Sequence, residues 1–256
     1  MLDLALPQML LIVCPLVFFG GFVDSISGGG GLISLPAYLL TGVPPHIAFG
    51  CNKVSAGVGM LVSTVRFHQN GKIHLKSAAV SAVFALLGAG LGSSFNMLLD
   101  AVLLKKLIVG VLPVVSILVL FGGNRIRPSK LLKGYKLFLA CAGIGFVTAL
   151  YDGIIGPGAG TFMVFGYASI AGFDYVTASG NAKVTNLASN IASTFLYISA
   201  GRVLFALAIP AALCSIAGSW IGSGLAIQKG AKFIKGIMAL VLAGIFVKLI
   251  WDLHLI

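Results

Sequence analysis

Two glycine-rich stretches decide how this chain folds: Asp24-Ser-Ile-Ser-Gly28-Gly-Gly-Gly31 and Asp152-Gly-Ile-Ile-Gly156-Pro-Gly-Ala-Gly160. Each interrupts an apolar run, and each opens on an aspartate. They lie 128 residues apart, and further matches follow at nearly the same offset. Lys53-Val-Ser corresponds to Lys183-Val-Thr, Ser63-Thr64 to Ser193-Thr194, and Gly71-Lys72-Ile73 to Gly201-Arg202-Val203, all at 130. Gly88 and Gly92 correspond to Gly218 and Gly222, and Lys105 to Lys235. A near-constant offset over such a span implies a duplicated unit. The expected organisation is a membrane repeat over 1–122, a basic cytoplasmic linker over 123–136 and a second membrane repeat over 137–256.

Composition sets the surroundings of those stretches. Of 256 residues, 59% are hydrophobic and 9% charged, against roughly 25% charged in ordinary soluble domains. The six acidic residues are all Asp (Asp3, Asp24, Asp100, Asp152, Asp174 and Asp252). A soluble surface cannot be covered with so few charges, so most of the exterior faces lipid. Eight apolar runs are candidate membrane helices: 4–23, 47–65, 77–99, 107–121, 137–151, 175–200, 203–227 and 236–251. They are continuously apolar, unlike the alternating strands of a membrane barrel. The first run has no basic residue before it and no small-residue cleavage site after it, which reads as a membrane segment and not a signal peptide. Two shorter pieces, 32–40 and 161–173, cannot cross by themselves. The expected class is an all-α polytopic membrane protein, with about four membrane helices per repeat and a broken or re-entrant Gly-rich segment in each.

The net charge of +11 does not indicate nucleic acid. Its basic residues cluster between apolar runs, as Arg125, Arg127, Lys130, Lys133 and Lys136 do, which is the pattern of cytoplasmic membrane loops. Cys14, Cys51, Cys141 and Cys214 lie inside apolar segments and read as small buried hydrophobes. His46, His68, His74 and His254 have no metal-site partners and read as solvated or interfacial. The chain has no Glu, no Gly-x-Ser-x-Gly and no cofactor fingerprint, so neither an enzyme nor a cofactor is expected.

A glycine break inside an apolar segment leaves unpaired N–H groups at the start of a short helix. In lipid these need a partner, and a bound anion is a good one. Paired breaks in duplicated halves point to a transporter's solute site. The expected backbone contributors are Gly28, Gly29, Gly30, Gly31, Gly156, Gly158 and Gly160, with their N–H groups turned into one central cavity. Side-chain donors would come from Asn52, Lys53 and Ser55 in the first half and Asn181, Lys183 and Thr185 in the second, with Asn186 and Asn190 nearby. Asp24 and Asp152 would serve as coupling or ion-pair residues. An ionised side chain at mid-bilayer costs at least about 2.5–3.5 kcal/mol, so such groups face a cavity or each other. The four charges therefore line the solute path, or form a structural Asp–Lys pair within each half. A proton on either Asp would leave the site net positive and link anion binding to protons. Gly88, Gly92, Gly218 and Gly222 read as helix-packing contacts.

Two topologies fit. Eight full spans make the halves parallel. Alternatively, 32–40 and 161–173 turn back through the membrane, giving ten passes and inverted halves, which gathers the large basic clusters on one side.

Gly21-Phe-Val-Asp24-Ser-Ile-Ser-Gly-Gly-Gly-Gly-Leu, Cys51-Asn52-Lys53, Tyr151-Asp152-Gly-Ile-Ile-Gly156-Pro157 and Ala182-Lys183 resemble the TauE/SafE family of sulfite exporters, most closely its YfcA-like branch. The likeness covers essentially the whole chain. It implies a bacterial cytoplasmic-membrane secondary transporter of sulfur-containing anions such as sulfite or organosulfonates, and a homo-oligomer is compatible with it. A passive anion channel and an intramembrane enzyme are the competing readings.

Overall fold

The computed structural model describes residues 4–104, 106–108, 110 and 130–254, with 231–254 as backbone only. Among the described residues every regular element is helical. The order is α1 (Leu6–Ser27), α2 (Gly31–Leu40), α3 (Pro45–Gln69), α4 (Leu75–Leu98), α5 (Tyr135–Ile154), α6 (Ala159–Ala171), α7 (Tyr175–Ser199) and α8 (Phe205–Gly230). Helix α6 loosens to a π-helix over Gly166–Ala171. Beyond α8 the chain breaks at Gly230 (φ 66°, ψ −164°) and continues as helix to His254. Six expected spans coincide with α1, α3, α4, α5, α7 and α8, and 236–251 falls in the final helical stretch. Most of 107–121, with Lys105, Arg125 and Arg127, lies outside the described residues.

Helices α1, α4, α5 and α8 are long and apolar enough to cross a membrane. Large apolar side chains point outward from them, among them Leu11, Leu98, Leu139 and Leu213. In lipid such exposure costs nothing, and the helical backbone satisfies its own polar groups. Helices α3 and α7 are equally long at 25 residues but carry the polar runs around Lys53 and Lys183. Those residues are buried, so α3 and α7 form the centre and the apolar helices surround them.

Gly28 ends α1. Its φ of 84° is left-handed, and its N–H donates to the Asp24 carbonyl at 2.8 Å. Helix α2 then doubles back along α1. Gly30 packs on Gly20 and Asp24, and Ser34 packs on Gly20. In the second half α5 ends at Ile154, Gly156 and Gly158 take φ of 90° and 82°, and α6 follows.

The central pair is antiparallel. Gly50, near the start of α3, lies against the Arg202 carbonyl beyond the end of α7. Gly180, near the start of α7, lies against the Lys72 carbonyl beyond the end of α3. Gly57 and Asn190 meet between them.

Helix α8 packs on α1: a Cβ at Gly218 would sit 2.0 Å from the Phe18 carbonyl oxygen, and one at Gly222 would sit 2.3 Å from that of Phe22. Helix α4 packs on α5 likewise, with Gly88 and Gly92 each 2.3 Å, by the same measure, from the carbonyl oxygens of Phe146 and Leu150. Small residues thus let backbones touch, as small-residue spacing does in lipid. One expectation fails here. His46 is buried, with Nε2 3.2 Å from the Leu99 carbonyl, because α3 begins against the segment that follows α4.

Candidate functional site

The two helix breaks meet. Gly28 and Gly160 pack so closely that a Cβ at Gly28 would lie 2.2 Å from the Gly160 carbonyl carbon. The Thr161 hydroxyl donates to the Ser27 carbonyl at 3.1 Å across the same junction. Beside it lies a small polar cavity. Asp24, Gly28 and Gly31 line it from α1–α2, and Asn52, Lys53 and Ala56 from α3. Asp152, Gly156, Gly158 and Gly160 line it from α5–α6, and Asn186 and Asn190 from α7.

Both lysines reach across the halves, one to a carboxylate and one to a backbone carbonyl, so the alternative of one Asp–Lys pair within each half does not hold. Lys53 Nζ lies 2.7 Å from Asp152 Oδ2 and donates to the Asp152 carbonyl at 2.9 Å. Lys183 Nζ donates to the Asp24 carbonyl. The lysine of α3 reaches the end of α5, and that of α7 the end of α1. The two carboxylates are not equivalent. Asp152 Oδ2 also accepts from the Ser189 hydroxyl. Asp24 Oδ1 accepts from the Gly30 N–H at 3.1 Å. Among the described residues no cation lies within ion-pair distance of the Asp24 carboxylate.

Several expected residues stand elsewhere. Gly30 lines a different cavity and holds Asp24. Gly29 is outside both cavity linings. Ser55 accepts from the Tyr38 hydroxyl at 2.8 Å, and Thr185 bonds Tyr167. Asn181 Oδ1 accepts the His74 N–H at 2.9 Å, near the end of α7 remote from the cavity. Lys183 touches Asp24 without lining the cavity. Nor do all the glycine N–H groups turn inward. Those of Gly28 and Gly156 close the preceding helices, onto the carbonyls of Asp24 and Tyr151, and that of Gly30 caps the Asp24 carboxylate.

Sequence reading missed Ser189 as a partner of Asp152. Asn186, Ser189 and Asn190 share one face at helical spacing, and that periodicity was the available signal. Asn190 Nδ2 bonds Asn186 Oδ1 at 2.9 Å. Asn52 is 8% exposed, and its Oδ1 has no partner. A buried amide atom left unbonded is rare and needs an explanation.

The second cavity, a small one, lies between α1, α2, α3 and α8. It shares Asp24 with the first and is otherwise edged by small residues and the hydroxyls of Ser34, Ser55, Ser215 and Ser219.

Buried charges beside paired helix breaks, inside an all-helical protein with an apolar exterior, form the architecture of a membrane transporter. The family model described as Sulfite exporter TauE/SafE matches residues 13–249, and the chain belongs to that family. It is similar to a "Probable membrane transporter protein" of Haemophilus influenzae, at 30% identity over 98% of each chain. A Sinorhizobium protein, "Probable membrane transporter protein ORF9", is 31% identical over 98% of this chain and 96% of its own. "Probable membrane transporter protein YfcA" of Escherichia coli K12 is 28% identical over 97% and 92%. No solved structure matches the chain.

Proposed function

We propose that the protein is a secondary transporter of small sulfur-containing oxyanions, such as sulfite and organosulfonates, in a bacterial cytoplasmic membrane. The anion occupies the cavity at the two glycine breaks. One observation carries this: a buried, unpartnered Asn52 amide lines the same cavity as Lys53 and the first residue of α2, Gly31. An oxyanion offers acceptors on every side. Rotated about its bond, the Asn52 amide presents N–H donors, and Lys53 supplies charge. Lys53 and Asp152 balance each other while the site is empty, and anion entry draws on the same ammonium.

Two inverted homologous repeats frame this site, with α1–α2 and α5–α6 as re-entrant hairpins that meet at the midplane. Supporting this are the antiparallel α3 and α7 and bonds that recur at the repeat offset. Lys53 to the Asp152 carbonyl mirrors Lys183 to the Asp24 carbonyl. Tyr38 with Ser55 mirrors Tyr167 with Thr185. Charge supports the orientation. Arg66, Lys72, Lys76, Lys130, Lys133, Lys136 and Lys229 gather at the end where α3 and α8 finish and α5 begins. Lys106 and Arg202 lie towards the opposite end. The first end is the cytoplasmic one by the positive-inside tendency. Alternating access is then a rocking of the halves around the Gly28–Gly160 junction.

Titration calorimetry with sulfite, thiosulfate, sulfoacetate and taurine on purified protein tests the reading. At least one should bind saturably, and Asn52→Ala should weaken it by about tenfold, the worth of one charge-assisted hydrogen bond. No binding by any of the four, or binding indifferent to Asn52→Ala and Lys53→Met, overturns it. Saturable counterflow in vesicles separates a transporter from a channel.

A further inference from the structure

The serine-edged cavity has a chemistry that the anion site does not explain. Each serine hydroxyl carries one hydrogen, and three of them are already committed. Ser34 donates to the Gly30 carbonyl at 3.1 Å, Ser219 to the Gly21 carbonyl at 3.2 Å, and Ser55 to the Asn52 carbonyl at 3.2 Å. What these oxygens have left are lone pairs. Ser215 and Ser219, one turn apart on α8, enter the crevice between α1 and α3 only because glycines face them. A Cβ at Gly59 would lie 2.2 Å from Ser215 Oγ and 2.7 Å from Ser219 Oγ, and one at Gly21 would lie 3.0 Å from each.

Beside these acceptors is the buried Asp24 carboxylate, 8% exposed, whose one bonded donor among the described residues is the Gly30 N–H. It sits in the last turn of α1, where the negative end of the helix dipole adds to its charge. Of the nearby cations, Lys183 holds the Asp24 carbonyl and lies beyond ion-pair distance of the carboxylate, and Lys53 pairs with Asp152. A buried carboxylate so sparsely compensated is costly. Hydroxyls whose hydrogens are committed elsewhere cannot relieve it, but a cation between them can.

We propose that this cavity binds a monovalent alkali cation, sodium-sized, between the Asp24 carboxylate and the hydroxyl oxygens of Ser34, Ser55, Ser215 and Ser219. Carboxylate and hydroxyl oxygens select hard cations, and one carboxylate balances one charge. Coupling to transport rests on the anion reading above, because Asp24 borders both cavities and each ion lowers the electrostatic cost of the other. Occupancy of the cation site does not rest on it.

The test is thermal unfolding of the purified full chain, titrated with NaCl against choline chloride at constant ionic strength, with no oxyanion present. Sodium should raise Tm saturably. Ser215→Ala/Ser219→Ala places at both positions the residue found 130 positions earlier, at Ala85 and Ala89, and should raise the half-saturating sodium by at least about tenfold. Wild-type Tm indifferent to sodium overturns the proposal. So does a Tm that follows pH alone, which would put a proton on Asp24. Sodium stabilisation unchanged in the double variant also overturns it. A sodium effect without oxyanion binding would sink the anion reading alone, and the reverse result would sink this one alone.

Discussion

The surroundings of Asp24 and Asp152 differ although their positions correspond. Around Asp24, α8 inserts Ser215 and Ser219 against Gly21 and Gly59, and a cavity remains. Around Asp152, the corresponding positions are Ala85, Ala89, Ala149 and Ser189. The three alanines close with Ala188 into an apolar cluster, and Ser189 donates to the carboxylate. Asp152 has an ammonium and a hydroxyl, whereas Asp24 has one peptide N–H and an open, acceptor-lined space. The two carboxylates occupy corresponding places in the sequence. The small residues one helix away differ, and one carboxylate is held by a lysine and a hydroxyl while the other is held by a peptide N–H.

The broadest way to break the comparison is to ask whether the halves are inverted at all. Asn70 and Ala200 occupy corresponding exposed loop positions. Cysteines there, in a background without the four native ones, should label from opposite faces of the membrane, all or none. Labelling of both from one face would make the halves parallel.

Next in size is the junction. Gly28→Ala should abolish folding, because its Cβ would strike the Gly160 backbone and φ of 84° strains any side chain. Gly29→Ala, with nothing nearer than 3.7 Å to the new Cβ, should express at the wild-type level. Equal expression of the two would show that the hairpin tips do not touch.

The carboxylates themselves come third. Asp152→Asn strands Lys53 and should destabilise by about 3–5 kcal/mol, largely restored by adding Lys53→Met. Asp24→Asn strands no ion-pair partner and should cost clearly less in the same unfolding assay. Equal losses would erase the asymmetry.

The smallest effect concerns the starts of α3 and α7. Asp174 caps α7 through the N–H groups of Val176 and Thr177, both at 3.1 Å, where α3 has Pro44 and no side-chain cap. Partial burial by itself would raise the Asp174 pKa, but Thr177, Val176 and Lys72 outweigh it and hold the carboxyl below its usual 3.8. A depressed folded value means stability that is present above that pH and lost as pH falls through the folded pKa. Asp174→Ala should therefore cost about 1 kcal/mol near neutral pH, and the gap to wild type should narrow in acid below the usual value. A gap unchanged with pH would mean that the carboxylate charge plays no part.

The membrane class, the helical character and the positions of six described helices, four of them long and apolar enough to cross a membrane, were legible in the residues. Lipid imposes a simple rule, in which a long apolar run must be helix, and that rule is local. The glycine breaks were legible for the same reason, since left-handed Gly28, Gly156 and Gly158 announce themselves as glycine. Of the residues expected at one cavity, Asn52, Lys53, Asp152, Gly28, Gly31, Gly156, Gly158 and Gly160 line it, whereas Gly29, Gly30, Ser55, Asn181, Lys183 and Thr185 do not. Which lysine meets which aspartate was not legible. That depends on α3 and α7 running antiparallel and on α8 and α4 each packing on the first helix of the other half. No local propensity encodes such contacts, because they join residues about a hundred positions apart, as Lys53 and Asp152 are. The serine cavity was hidden for the same reason: Ser34, Ser215 and Ser219 each look like an ordinary small residue of a membrane helix. Only the packing of α1, α2, α3 and α8 brings them to one cavity with Asp24.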